Sequence, residues 1–312
     1  MNKGKVLFID TAHPILIELL TQSGFKCDFF QDYQRADFEK IISAYQGVII
    51  RSKIKLDRDF LSRATQLRFI GRVGAGMENI DVQAATELGI VCLNAPEGNR
   101  DAVAEQAVGM LLSLFNRILI ADREVRGGLW LREQNRGVEL GGKTIGIVGM
   151  GNTGSAFAKK LQGFDVEVLA YDKYKSGFGN AGVTEVNLDE IYNRADIISY
   201  HVPLTDETTY MFDSQVIDRF VKPFYLVNTS RGKVVHTGHL LQGLKSGKIL
   251  GACLDVLEYE GLSFDAIQES PDFSLLARKK NVVLTPHIAG WTHESNEKMA
   301  KILFAKIQQL AV

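Results

Sequence analysis

Three ionisable residues in the second half of the chain each stand just past an apolar run. Arg231 comes directly after FYLVNTS, Glu260 lies five residues past Asp255 at the end of ILGACLDV, and His287 follows VVLTP. An imidazole titrates near neutrality and can take a hydroxyl proton. A carboxylate on its far ring nitrogen would orient the ring and stabilise the imidazolium, and an arginine fork can clamp a carboxylate and polarise the carbonyl beside it. Such a set suits oxidation of a secondary alcohol, where the hydroxyl proton leaves as hydride departs from the same carbon. Taken singly, each also fits a plainer role: a strand-end cap, a surface acid, a loop arginine.

Hydride needs a carrier, and the glycine motifs supply a candidate. Gly149-Met-Gly151-Asn-Thr-Gly154 follows the run TIGIV and opens the helical stretch SAFAKKLQ. In such a turn the first glycine allows the bend, the second lets backbone approach a pyrophosphate, and the third lets helix pack on strand. Eighteen residues beyond Gly154, VEVLAYD ends in Asp172, an acid placed to bind an adenosine ribose and to repel a 2′-phosphate. That favours NAD over NADP, with Lys173 and Lys175 weakening the preference. A second match, Gly177 to Gly182, leads into VTEVNL rather than a helix. GVELGGKT (137–144) fits the P-loop pattern, but Lys143 and Thr144 open a strand there, where a phosphate-binding loop would open a helix.

The elements that must position these residues read as alternating strands and helices, hence parallel α/β units. KVLFI, KCDFF, GVIIRS, RFIGRV and IVCLN form a first series; TIGIVG, VEVLAYD, IISYHV, FYLVNTS, ILGACLDV and VVLTP form a second. Residues 102–126 are expected as one long helix, apolar on most of its circumference to Ile120 and lying between domains or subunits. THESNEKMAKILFAKIQQL closes as an amphipathic helix.

Whole-chain quantities narrow the classes. With 312 residues, 46% hydrophobic, 23% charged and a formal net charge of −1, the chain has room for about two domains and no global attraction to nucleic acid or anionic membrane. Three separated cysteines, Cys27, Cys92 and Cys253, fit a reducing cytoplasm. The segment MNKGKVLFIDTAH lacks a signal peptide's apolar core, and AVGMLLSLFNRILIA, the run nearest to a membrane span, is interrupted by Asn116 and Arg117. His236 and His239 have ligand-like spacing but no evident third ligand, so no metal is expected.

At this point the chain resembles the D-isomer-specific 2-hydroxyacid dehydrogenases along almost its whole length. The resemblance rests on RVGAGMENID (72–81), NAPEGNRDAVAEQAVG (94–109), GMGNTG with YD, HVPLTDETTYM (201–211), LVNTSRGKVVHTGHLLQGLKSGKILGACLDV (226–256) and PHIAGWT (286–292). It implies two Rossmann-like doubly wound parallel-sheet domains, a discontinuous substrate domain (1–97 and 288–312) and a cofactor domain (98–287), with a cleft between them. It makes Arg231, Glu260 and His287 the catalytic trio. It puts NAD on Gly149, Gly151, Asn152, Thr153, Gly154, Asp172, His201, Pro203, Thr208, Thr229 and Asp255. The amides around Gly74, Ala75 and Gly76 are expected to hold a substrate carboxylate. Gly261 and Gln106 stand where the family often has proline and histidine, which alters loop rigidity rather than chemistry.

Within the family the likeness is greatest to the D-3-phosphoglycerate dehydrogenases, in IIRS, GRVGAG and LW-x-R. It implies a phosphate pocket of Arg51, Arg72 and Arg132, helped by Lys53 and Arg136, and oxidation of 3-phospho-D-glycerate in serine synthesis. It also implies a homodimer formed through 102–120 and 128–140, with Arg132 reaching the partner's site. The regulatory domain that some such enzymes carry, and serine feedback through it, are not expected. The rivals are a reductase of unphosphorylated keto acids such as glyoxylate, hydroxypyruvate or pyruvate, and an NAD-sensing protein of the corepressor type.

Overall fold

The computed structural model describes residues 3–261 and 267–310. Contacts divide these into two compact units, 3–100 with 291–310 and 101–261 with 267–290.

The first unit holds a parallel sheet of β1 (Gly4–Phe8), β2 (Phe25–Phe29), β3 (Gly47–Ile50), β4 (Phe69–Arg72) and β5 (Val91–Asn94), in the order β2-β1-β3-β4-β5. Its inner strands β1, β3 and β4 bury residues on both faces because both are covered. Leu7, Val48, Ile50 and Ile70 pack on one side with Phe38, Phe60 and Ala84. Val6, Phe8, Ile49 and Phe69 pack on the other with Leu16, Leu20, Met299 and Leu303. The second set includes the helix His293–Gln308, so a segment remote in sequence completes this core. A Cβ on Gly98 would stand 2.6 Å from the Met299 amide nitrogen, so only glycine fits there.

The second unit holds β6 (Thr144–Val148), β7 (Glu167–Tyr171), β8 (Thr184–Glu185), β9 (Ile197–Tyr200), β10 (Phe224–Asn228), β11 (Ile249–Leu254) and β12 (Val282–Leu284), all parallel. Their order is β12-β11-β10-β9-β6-β7-β8. The direction of winding reverses between β6 and β9, and an open α/β sheet binds ligands at the strand C-termini beside such a point.

The expected single helix from 102 to 126 is broken. Helices run Pro96–Phe115 and Ile118–Arg126, bent by 60°. The break has two visible causes. Arg117 takes a left-handed φ of 53°, and the Phe115 carbonyl accepts the Val138 N–H at 3.0 Å instead of a helical donor. The first helix buries Ala104, Ala107, Met110, Leu111 and Phe115, whereas Ile118 and Leu119 of the second are about half exposed. Among the described residues no single helix is long and apolar enough to cross a membrane.

Candidate active site

The chain leaves β6 at Val148 and turns at Gly149, φ 96°, where a Cβ would lie 2.6 Å from the His201 carbonyl oxygen. A Cβ on Gly154 would lie 1.9 Å from the Gly149 carbonyl oxygen, so both ends of the turn require glycine. At Gly151, the N-cap of the helix Asn152–Leu161, a Cβ would meet nothing within 4 Å. The turn is therefore packed on one side and open on the other, with the amides of Asn152 and Thr153 in the helix's first turn. This shape fits a dinucleotide pyrophosphate.

Asp172 lies just past β7 and braces that turn: its Oδ2 accepts the Met150 N–H at 2.8 Å, and its Oδ1 accepts those of Tyr174 and Lys175 at 2.9 and 3.0 Å. The two lysines that weaken the NAD preference are engaged elsewhere. Lys173 pairs with Glu207 at 2.7 Å and Lys175 Nζ donates to the Met150 carbonyl at 3.2 Å.

His201, just past β9, is buried, with Nε2 at 2.8 Å from Ser199 Oγ. Burial pushes its pKa down to about 3, so the ring is neutral. Its Nδ1 and the buried Thr229 Oγ1 have no hydrogen-bond partner among the described residues, an arrangement that suits donors and acceptors meeting a ligand. Thr208 Oγ1 donates to the Pro203 carbonyl at 2.6 Å and accepts the Thr205 N–H at 2.8 Å, closing the loop between them.

The trio is assembled by three neighbouring loops. After β10, Asn228 Oδ1 accepts from the Ser230 hydroxyl at 2.7 Å and Asn228 Nδ2 donates to the Arg231 carbonyl at 3.0 Å, folding the turn that presents Arg231. A Cβ on Gly232 would stand 2.0 Å from the Leu257 carbonyl oxygen, so this turn lies against the loop carrying Glu260. There the Leu257 N–H donates to Glu260 Oε1, and Glu260 Oε2 is 2.7 Å from His287 Nδ1. His287 has a left-handed φ of 55°. Its N–H donates to the Asp255 carbonyl at 2.8 Å and the Thr285 carbonyl at 3.0 Å. The buried Asp255 carboxylate accepts the Thr285 hydroxyl at 2.5 Å and the N–H groups of Ile288 and Ala289, each at 2.9 Å. Asp255, expected beside the nicotinamide, thus also fixes the histidine turn, a task the sequence reading missed. With Nδ1–H donated to Glu260, Nε2 is the basic nitrogen of the ring.

In the first unit, Gly74 has φ 151°, and a Cβ there would collide with Arg72 Nη1. Arg72 is therefore folded over the Gly74-Ala75-Gly76 turn, whose Ala75 carbonyl accepts from Asn94 Nδ2 at 2.7 Å. Arg51, past β3, lays its guanidinium 3.8 Å from the centre of the Trp291 ring. The amides of Arg51, Ser52 and Lys53 donate to Asp10 Oδ2 at 2.7, 2.8 and 3.0 Å. Asp10 was not singled out from the sequence, although an acid just past a first strand was the available signal, and Trp291 was read only as part of PHIAGWT, with no role of its own. Arg51 and Arg72 end adjacent strands, whereas Arg132 is an exposed residue of the other unit and Arg136 pairs with Glu133 at 2.6 Å. His236 and His239 stack at 3.9 Å at a helix start, and no cluster of three or more metal-ligating side chains occurs among the described residues.

Residues 108–289 match the profile of the D-isomer specific 2-hydroxyacid dehydrogenase, NAD binding domain. A D-3-phosphoglycerate dehydrogenase of Archaeoglobus fulgidus is 35% identical over 98% of the chain, which spans only 57% of that relative's length. A glyoxylate reductase of Thermofilum pendens is 40% identical over 80% of the chain and 73% of the relative. A D-lactate dehydrogenase from Aquifex aeolicus, solved with NAD and lactic acid, superposes with a TM-score of 0.83 at 27% identity, covering 98% of this chain and 94% of that one.

Proposed function

Because the chain belongs to the D-isomer specific 2-hydroxyacid dehydrogenase family, we propose that it is an NAD-dependent oxidoreductase acting at C2 of a D-2-hydroxy acid. The observation that carries this reading is the His287–Glu260 pair on a turn pinned by Asp255. When bound, NAD supplies the hydride acceptor. His287 Nε2 takes the hydroxyl proton, and Glu260 stabilises the charge that the ring gains. Arg231 clamps the substrate carboxylate and polarises the C2 oxygen, and the amides around Gly74, Ala75 and Gly76 hold that carboxylate. Gly149, Gly151, Asn152, Thr153 and Gly154 bind the pyrophosphate and Asp172 the ribose. The unit 101–261 with 267–290 then serves the cofactor and the unit 3–100 with 291–310 the substrate.

The substrate reading is 3-phospho-D-glycerate, oxidised to 3-phosphohydroxypyruvate at the entry to serine synthesis. The phosphoglycerate dehydrogenase relatives and the pair Arg51 and Arg72 support it. The second reading, an unphosphorylated keto acid such as glyoxylate, is favoured by the 40% identical glyoxylate reductase. Exposed Ile118, Leu119, Val125, Leu129 and Trp130 support a homodimer in which Arg132 serves the partner's site. The free cysteines support a cytoplasmic location.

Steady-state NADH oxidation with phosphohydroxypyruvate, hydroxypyruvate, glyoxylate and pyruvate tests the choice. The phosphorylated acid should have the highest kcat/KM. Arg51→Ala should lower that value about ten- to a hundredfold, the worth of a charge-assisted contact, and leave the small acids little changed. Equal or better rates with glyoxylate in the wild type would overturn the phosphate reading.

A further inference from the structure

Arg51 is held at its backbone and over its guanidinium. Its backbone is held by Asp10, which gathers the three successive amides of residues 51 to 53, and its guanidinium lies over the Trp291 indole at 3.8 Å. The two residues are 240 positions apart in sequence yet belong to one unit. They meet past the C-terminal end of β3, beside β1, where the order β2-β1-β3-β4-β5 changes direction. That end of an open parallel sheet is where ligands bind. Lys53, another cation of the loop, turns its ammonium to the Gln31 carbonyl at 2.8 Å. Trp291 is 49% exposed, so it reaches solvent and is not simply core.

A guanidinium stacked on an aromatic face keeps its N–H groups in its own plane, directed past the ring edge rather than into it. We infer that Trp291 is a specificity-determining residue, a flat shelf that presents the Arg51 fork to the phosphate on C3, at the end of the substrate opposite its carboxylate. The inference rests on the phosphorylated-substrate reading above. An arginine held flat on a ring gives up fewer rotamers on binding, so less of the contact energy is spent on ordering it.

The test is a cycle of Trp291→Leu, Trp291→Phe, Arg51→Ala and the double variant Arg51→Ala/Trp291→Leu, assayed with phosphohydroxypyruvate and hydroxypyruvate. Trp291→Leu should reduce kcat/KM for the phosphorylated acid about five- to thirtyfold, mainly through KM, with hydroxypyruvate within twofold. Trp291→Phe, which keeps an aromatic face, should recover part of the loss. In the Arg51→Ala background, Trp291→Leu should have no further effect. Equal losses with both substrates, or an undiminished effect without Arg51, would overturn the inference and leave the phosphate reading standing. A wild type indifferent to phosphate would remove that reading, and the inference with it.

Discussion

Asp10 and Asp255 end strands in different sheets, and each accepts hydrogen bonds from the loop after the neighbouring strand. Asp10, past β1, holds the amides that follow β3; Asp255, past β11, holds the turn that follows β12. They differ in depth and in what they hold. Asp255 is 1% exposed, uses both oxygens and fixes a histidine in a left-handed backbone conformation. Such a conformation costs a non-glycine residue about 1–2 kcal/mol, so the surroundings must impose it. Asp10 is only partly buried and uses one oxygen for the three amides, while its arginine's tip lies over an aromatic ring. The imidazole is aimed through its backbone and by Glu260 on Nδ1, and the guanidinium through its backbone and by the ring beneath its end.

Removing the deeper clasp should have the largest effect. Asp255→Ala leaves two amides and a hydroxyl without their acceptor, and should cost about 3–5 kcal/mol in urea unfolding together with most of kcat. A loss below about 1 kcal/mol would show that the turn holds itself.

His201 provides the contrast of a strand end buried without a carboxylate. Its folded pKa of about 3 lies below the value of an unfolded histidine, near 6.5. As pH falls through 6.5 the unfolded chain binds a proton that the folded chain refuses. Stability should therefore be full above about pH 6.5 and decline toward pH 3, by about 3 kcal/mol between pH 6.5 and 4. Urea midpoints across that range should slope in the wild type and flatten in His201→Gln; parallel slopes would mean that the ring gains its proton in the fold.

Asp10→Ala, at the shallower clasp, should cost about 1–3 kcal/mol and raise KM for a phosphorylated substrate more than it lowers kcat. An effect as large as that of Asp255→Ala would erase the distinction. Thr285→Val should be the mildest, about 1 kcal/mol, because it removes one donor from a carboxylate that keeps two amides. Its double variant with Asp255→Ala should cost no more than Asp255→Ala alone.

Much of this was legible in the sequence because it is local. The glycine turn follows from strand, spacing and helix; Arg231, Glu260 and His287 stood out by their places after apolar runs, and the family resemblance grouped them as a trio. The elements that escaped are settled by partners distant in the chain. The helix break at Asn116 and Arg117 depends on Val138 taking the Phe115 carbonyl, while apolar periodicity runs on past it. Arg51 could be read as a cation, but nothing near it in sequence announces Trp291 as its shelf. The second task of Asp255 appears only when β11 and β12 lie side by side.

The helix His293–Gln308 covers one face of a sheet whose last strand is complete at Asn94. On the ribosome the strands are made about 200 residues before their cover, a wait of roughly ten to forty seconds at ordinary elongation rates. During that interval Phe8, Ile49 and Phe69 lack Met299 and Leu303, while the seven-stranded unit is translated in between. The newly made chain therefore carries an open apolar face through that interval, until the closing helix emerges.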